Sequence, residues 1–131
     1  MQKRNEEEHI DNVVLLGEIL HSEKVWLYNH CDAFLFPSLF EGFGLPIIEA
    51  MYFKKPVLSS DKTSLKEIGA GHAIFMEDFE AEHIAEKVRT AIDQFQTDPS
   101  LAIRNEEYAR SFSYEKHLGR YIEIYRELLD D

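Results

Sequence analysis

Cysteine is almost absent from this sequence. Cys31 stands alone, which excludes an internal disulfide framework and makes a reducing cytosol the simplest setting. Cys31 follows a predicted helix and precedes an apolar strand, so it reads as a small buried hydrophobe rather than a nucleophile. Long apolar runs are also missing. None approaches the roughly 18 residues needed to cross a bilayer, and the charged stretch from Met1 to Asp11 does not read as a secretory signal. Positive charge is scarce: 14 Lys and Arg face 25 Asp and Glu, a net charge of -11. That balance argues against a nucleic-acid partner, which needs a basic face. Metal-ligand spacing is missing too. His9, His21, His30, His72, His83 and His117 are scattered, and none pairs with another strong ligand. No repeat or low-complexity tract interrupts the chain.

What is present is enough for one packed domain. The 131 residues are 44% hydrophobic and 12% aromatic, which favours a folded core over disorder. Met1 to Asp11 reads as a solvated lead-in. Short apolar runs at Val13–Leu16, Ala33–Phe36, Val57–Ser59 and Ala73–Phe75 predict buried strands. Between them fall a helix opening near Ser22, a helix from about Pro46 to Phe53, and one or two helical turns from Ser64 to Ile68. The last third predicts three helices. Glu80–Phe95 carries a stripe of Ile84, Ala85, Val88, Ile92 and Phe95. The next starts at Asp98-Pro99, with Asp98 capping and Pro99 at the first helical position. The last runs over Ser113–Leu129, with Leu118, Tyr121, Ile122, Tyr125 and Leu129 on one face. Strands alternating with helices, and apolar on both faces, predict an α/β fold with a parallel sheet.

The chemistry concentrates between Phe36 and Met51. A strand ends at Pro37, a loop with Gly42 and Gly44 follows, and a helix begins around Pro46. In open α/β sheets ligands bind beyond the carboxyl ends of the strands. The two glycines let backbone approach a ligand, and the helix N-terminus favours an anion such as a diphosphate. Glu41 precedes the loop and Glu49 lies about one turn into the helix. Carboxylates accept hydrogen bonds from vicinal hydroxyls, which a sugar or a ribose presents. An anion cradle flanked by two such acids suits a nucleotide sugar.

The acid, seven-residue gap and acid of Glu41 to Glu49, with Pro37-Ser38 before and Glu49-Ala50-Met51 at its end, resembles the signature of the family-four retaining glycosyltransferases of the GT-B fold. Val14–Gly17, Cys31–Ser38, Pro56–Ser60, Leu65–Ile68 and Phe112-Ser113-Tyr114 fall in that family's order, so the resemblance runs from about Val13 to Leu129. It implies a three-layer, Rossmann-like half domain of about four strands with a helix-rich C-terminus. All 131 residues would form a single partial domain, the C-terminal donor-binding part of a transferase. Glu41 is implied as the catalytic-site acid beside the donor sugar. Ser38, Gly42, Phe43, Gly44, Leu45 and Glu49 are implied as donor-binding, with Glu49 on the ribose hydroxyls and the backbone around Phe43 to Leu45 facing sugar or diphosphate. No cofactor and no metal are implied. The partners would be a UDP- or GDP-sugar and a carbohydrate or lipid-linked acceptor. The setting would be cytoplasmic, or peripheral to the membrane in the parent protein.

Departures from the pattern qualify this. The family's N-terminal acceptor domain is not in this sequence. Neither are the first two βα units of the C-terminal domain, with their glycine turn and the Arg and Lys that hold the diphosphate. Lys54 and Lys55 stand where a glycine is usual, and Lys66 where proline is frequent. The expectation is that this polypeptide alone does not catalyse transfer. Two other readings stay open: a non-catalytic nucleotide or sugar-nucleotide binding module, and an interaction domain that kept the motif by descent. Lys54, Lys55, Lys62 and Lys66 read as solvated charge, and Tyr114, Tyr121 and Tyr125 as packing residues. In the family's strand order the missing units would separate Val13–Leu16 from Ala33–Phe36. Val13–Leu16 is therefore expected to shift and pair with Ala33–Phe36, or two chains to dimerise through the open edge.

Overall fold

The computed structural model describes residues 12–129; the expected lead-in over Met1–Asp11 lies outside them. The chain is α/β, built on a parallel sheet in the order β1-β2-β3. Its strands are Phe34–Phe36 (β1), Val57–Ser60 (β2) and Ile74–Met76 (β3). Its helices are His21–His30 (α1), Leu45–Tyr52 (α2), Ser64–Ile68 (α3), Ala81–Thr97 (α4), Pro99–Arg110 (α5) and Tyr114–Leu129 (α6). Two consecutive crossovers, β1-α2-β2 and β2-α3-β3, give the parallel pairing. They also bring the loops after β1 and β2 to one edge of the sheet.

Helices cover both faces of the sheet, giving the three layers. Phe34, Phe36 and Val57 face α1, α2, α3 and α5, where Tyr28, Ile47, Met51, Leu65 and Ala109 close the larger core. Leu58, Ile74 and Met76 face α4 through Ile84, Val88 and Ala91. Each fully buried aliphatic side chain of this kind stabilises by about 1.5–3 kcal/mol. α5 is tied to the sheet edge by polar contacts as well. The Asn105 side-chain amide donates to the Lys55 carbonyl at 3.1 Å, and the Tyr108 hydroxyl donates to the Ile68 carbonyl at 2.8 Å.

The sheet has three strands, not four. Val13–Leu16 forms no strand and its side chains are exposed, so its expected shift onto β1 does not occur. Ordering a strand costs about 1–2 kcal/mol per residue in backbone entropy. Burial must offset that cost, and Val13 to Leu16 bury too little for it, remaining 41–76% exposed. β1 is left as an edge, with Leu35 exposed on it. Ser22, near which this helix was expected to open, lies inside α1 and does not cap it. The helix starts at His21, and the Glu23 carboxylate reaches back to accept from the Leu20 backbone N–H at 2.7 Å. α1 buries Tyr28, while Trp26 stays exposed and stacks on His30. The expected cap at Asp98 forms, and Ser113 adds another at the start of α6. Asp98 accepts from the Ser100 N–H at 3.0 Å, and Ser113 from the Lys116 N–H at 3.4 Å.

α6 departs from its expected role. Leu118, Tyr121, Ile122, Tyr125 and Leu129 lie exposed, as does Tyr114, and α6 has no buried residue. Its stripe has helical spacing but covers nothing among the described residues.

Candidate donor-binding site

The loop between β1 and α2 is pinned from below by the next crossover. Ser60, fully buried at the end of β2, donates its hydroxyl to the Ser38 carbonyl. The Ser38 hydroxyl then donates to the Glu41 carboxylate at 3.1 Å. From the β2–α3 loop, the Thr63 hydroxyl accepts from the Glu41 backbone N–H at 3.2 Å, and Ser64 donates to the Glu41 carbonyl at 3.1 Å. Thr63 achieves this at φ 49, an uncommon conformation for a β-branched residue and one that other contacts must hold in place. Glu41 is therefore fixed through both its backbone and its side chain, at the carboxyl edge of the sheet.

Gly44 sets the turn into α2. It is the N-cap at φ 100, in the left-handed region where only glycine is unstrained. It is buried, and a Cβ there would lie 2.7 Å from the Leu65 side chain. Pro46 occupies the first turn of α2, where a missing N–H costs nothing. Among the described residues the backbone N–H groups of Phe43, Gly44 and Leu45 meet no protein acceptor. Phe43 and Leu45 are exposed, and Phe43 meets Phe112 edge-on at 6.1 Å. The fold thus brings the Phe112-Ser113-Tyr114 segment beside the signature loop.

Glu49 points the other way, into a groove of about 290 Å³ between α1 and α2 lined in part by Lys24, Tyr28, Leu45, Ile48 and Tyr52. One carboxylate oxygen pairs with Lys24 Nζ at 2.8 Å, and the other accepts from the Tyr28 hydroxyl at 3.1 Å. The two acids of the signature thus flank the start of α2 from different sides. Ser38 and Glu41 are tied to β2 and the start of α3, Leu45 and Glu49 line the groove beside α1, and Gly42 is exposed between them in the chain. Lys24, Tyr28, Ser60, Thr63 and Ser64 are the residues that sequence reasoning missed. A signal for Tyr28 was available, because a phenol on an apolar helix face must find a partner for its hydroxyl when buried.

Burial, then the Glu49 carboxylate, raises the Tyr28 phenol above the ordinary tyrosine range. Below about pH 10 both the folded and the unfolded chain keep the proton, so this group leaves stability unchanged. Above it the unfolded chain releases the proton while the folded chain retains it. Stability then falls by up to about 1.4 kcal/mol per pH unit until the folded group also ionises. Urea titrations between about pH 9 and 11 should show a shallower decline in Tyr28→Phe than in the wild type; equal slopes would contradict the shift.

The remaining groups have structural roles. Burial raises the thiol of half-buried Cys31 above its ordinary range. Lys54 pairs with Glu106 at 3.0 Å and itself takes φ 63, filling the left-handed position where a glycine is usual. Lys55 donates to the Asn29 carbonyl and Lys62 pairs with Asp61. A wider concavity of about 530 Å³ between β3 and α4 holds Asp78 and His83, 3.0 Å apart. Among the described residues no group of three metal-ligating side chains gathers there or elsewhere.

Comparison with known families settles what this loop-and-helix arrangement belongs to. The model of the glycosyl transferases group 1 matches residues 1–128. The chain belongs to that family. Among similar curated proteins is O-antigen chain mannosyltransferase B of Escherichia coli, 29% identical over 86% of this chain and 30% of its own length. The serotype-specific mannosyltransferase WbdA of Escherichia coli is 38% identical over 68% of this chain and 10% of its own length. The lipopolysaccharide core biosynthesis mannosyltransferase LpcC of Rhizobium leguminosarum is 30% identical over 92% of this chain and 35% of its own length. The chain therefore spans about a third or less of the length of these group 1 glycosyltransferases.

Proposed function

We propose that this group 1 glycosyltransferase chain is the nucleotide-sugar-binding part of a retaining transferase. In this reading it forms a single partial domain. The observation that carries the reading is the turn at Gly44. A left-handed N-cap directs the free N–H groups of Phe43 to Leu45 outward, beside a carboxylate fixed at Glu41 and one helical turn before another at Glu49. The diphosphate takes the helix N-terminus, Glu41 and Ser38 face the sugar, and Glu49 accepts from the ribose hydroxyls. No metal or cofactor enters this scheme. The mannosyltransferase relatives favour a mannosyl nucleotide as the first donor to test. The acceptor, a carbohydrate or lipid-linked glycan, would engage parts of a longer protein. In this reading the polypeptide holds the donor and does not transfer the sugar on its own. A cytoplasmic or membrane-peripheral setting fits such a donor.

Titrating the ¹⁵N-labelled chain with GDP-mannose and with UDP-glucose tests the reading. The amides of Glu41, Phe43 to Leu45 and Glu49 should move first, without added metal. Shifts confined to α5 and α6 would contradict it and favour an interaction domain. The open β1 edge supports a further proposal, that two chains associate through it at high concentration. Light scattering on the same sample decides this, a strict monomer ruling it out.

A further inference from the structure

We infer that Tyr28, on α1 and outside the signature loop, is a positioning residue that orients the Glu49 carboxylate for a pair of ribose hydroxyls. The inference rests on the reading of Glu49 as the ribose-binding acid.

A glutamate carboxylate rotates about a broad terminal torsion. A bidentate contact with a vicinal diol requires the carboxylate plane to be held within about 10–20°. Something must therefore fix Glu49, and α1 supplies two partners one turn apart. Lys24 Nζ lies 2.8 Å from one oxygen, but its side chain is 38% exposed on a long flexible stem, so water or a ligand readily replaces it. Tyr28 differs. It is 6% exposed, and its ring is fixed between Phe34 at 5.4 Å and Phe53 at 5.5 Å. Its hydroxyl lies 3.1 Å from the second Glu49 oxygen and 3.4 Å from the Pro46 carbonyl. The single phenol proton favours the closer, charged acceptor. One oxygen of Glu49 is thus held by a rigid donor and the other by an exchangeable one. A carboxylate offers about four lone-pair positions, so acceptor capacity for two hydroxyls remains after Tyr28 has bound.

The test compares UDP and GDP with their 2′,3′-dideoxy counterparts, titrated by NMR into the intact chain. The wild type should prefer the ribose forms by about tenfold or more. Tyr28→Phe keeps the packed ring and removes the hydroxyl. It should reduce that preference to about twofold or less, leaving dideoxy affinity nearly unchanged. Loss of affinity for both forms in equal proportion, with the preference intact, would reduce Tyr28 to a packing residue and overturn the inference. Glu49→Gln separates this from the underlying reading. If that variant retains the preference, or if no nucleotide binds the wild type, the assignment of Glu49 itself fails. If Glu49→Gln loses the preference and Tyr28→Phe keeps it, only the role of Tyr28 fails. A second readout needs no variant and serves should Tyr28→Phe not fold. The buried Tyr28 hydroxyl proton should shift with the ribose nucleotides and not with the dideoxy forms; an unmoved resonance counts against the inference.

Discussion

Gly44→Ala should lose about 2–5 kcal/mol of stability, the sum of about 1–2 for a side chain at a left-handed φ and about 1–3 for overpacking. The residue has φ 100, and an added Cβ would lie 2.7 Å from the fully buried Leu65. Leu65 lies in the core that α2 and α3 share, so the strain would spread to the crossover that holds Glu41. Gly42→Ala is the control. It has no positive φ, and a Cβ there would meet nothing within 4 Å, so its loss should stay below about 0.5 kcal/mol. Urea denaturation of both variants measures the difference, and equal losses would contradict the account of the turn. The pair also separates fold from ligand. If Gly42→Ala is as stable as the wild type yet binds nucleotide more weakly, the open space above Gly42 belongs to the ligand.

Glu49→Ala should weaken nucleotide binding by about 1.5–3 kcal/mol, roughly ten- to 150-fold, because it removes a charged acceptor from hydroxyl groups. The loss of stability should be smaller. Lys24 is partly exposed and regains water, and the Tyr28 hydroxyl has the Pro46 carbonyl at 3.4 Å as a second acceptor. Calorimetric or NMR titration reads the affinity, and an unchanged value would remove Glu49 from the site. In a full-length parent enzyme, Glu41→Ala should instead lower turnover more than donor affinity, because its carboxylate lies by the reacting sugar in the proposed complex. Turnover unaltered in that variant would count against the placement.

The parts of this chain that were legible in its sequence are those governed by local rules. Asp98-Pro99 reads as a helix start because a carboxylate cap and a proline in the first turn each satisfy a backbone requirement locally, and the Asp98 carboxylate does accept from the Ser100 N–H. The Gly44 turn and the following Pro46 are of the same kind. Val13–Leu16 departs from the expected strand for the opposite reason. Its composition is that of a buried strand, but composition cannot provide the neighbour or the covering helices that make a strand pay its entropy. α6 repeats the point, with a periodic apolar face that remains exposed.

By itself, the sequence determined the parallel α/β plan, the helix boundaries with short-range caps, and a glycine loop flanked by two acids. These depend on contacts within a few residues or on the periodicity of burial. Only the tertiary structure decided how each acid is held. Ser60 and Thr63 reach Ser38 and Glu41 from the next crossover, and Tyr28 reaches Glu49 from the preceding helix. Tyr28 and Glu49 lie twenty-one residues apart in the chain, and each of the other two pairs twenty-two. Hydrogen bonds at such separations leave no periodic trace, because only the folded sheet edge brings the groups within about 3 Å.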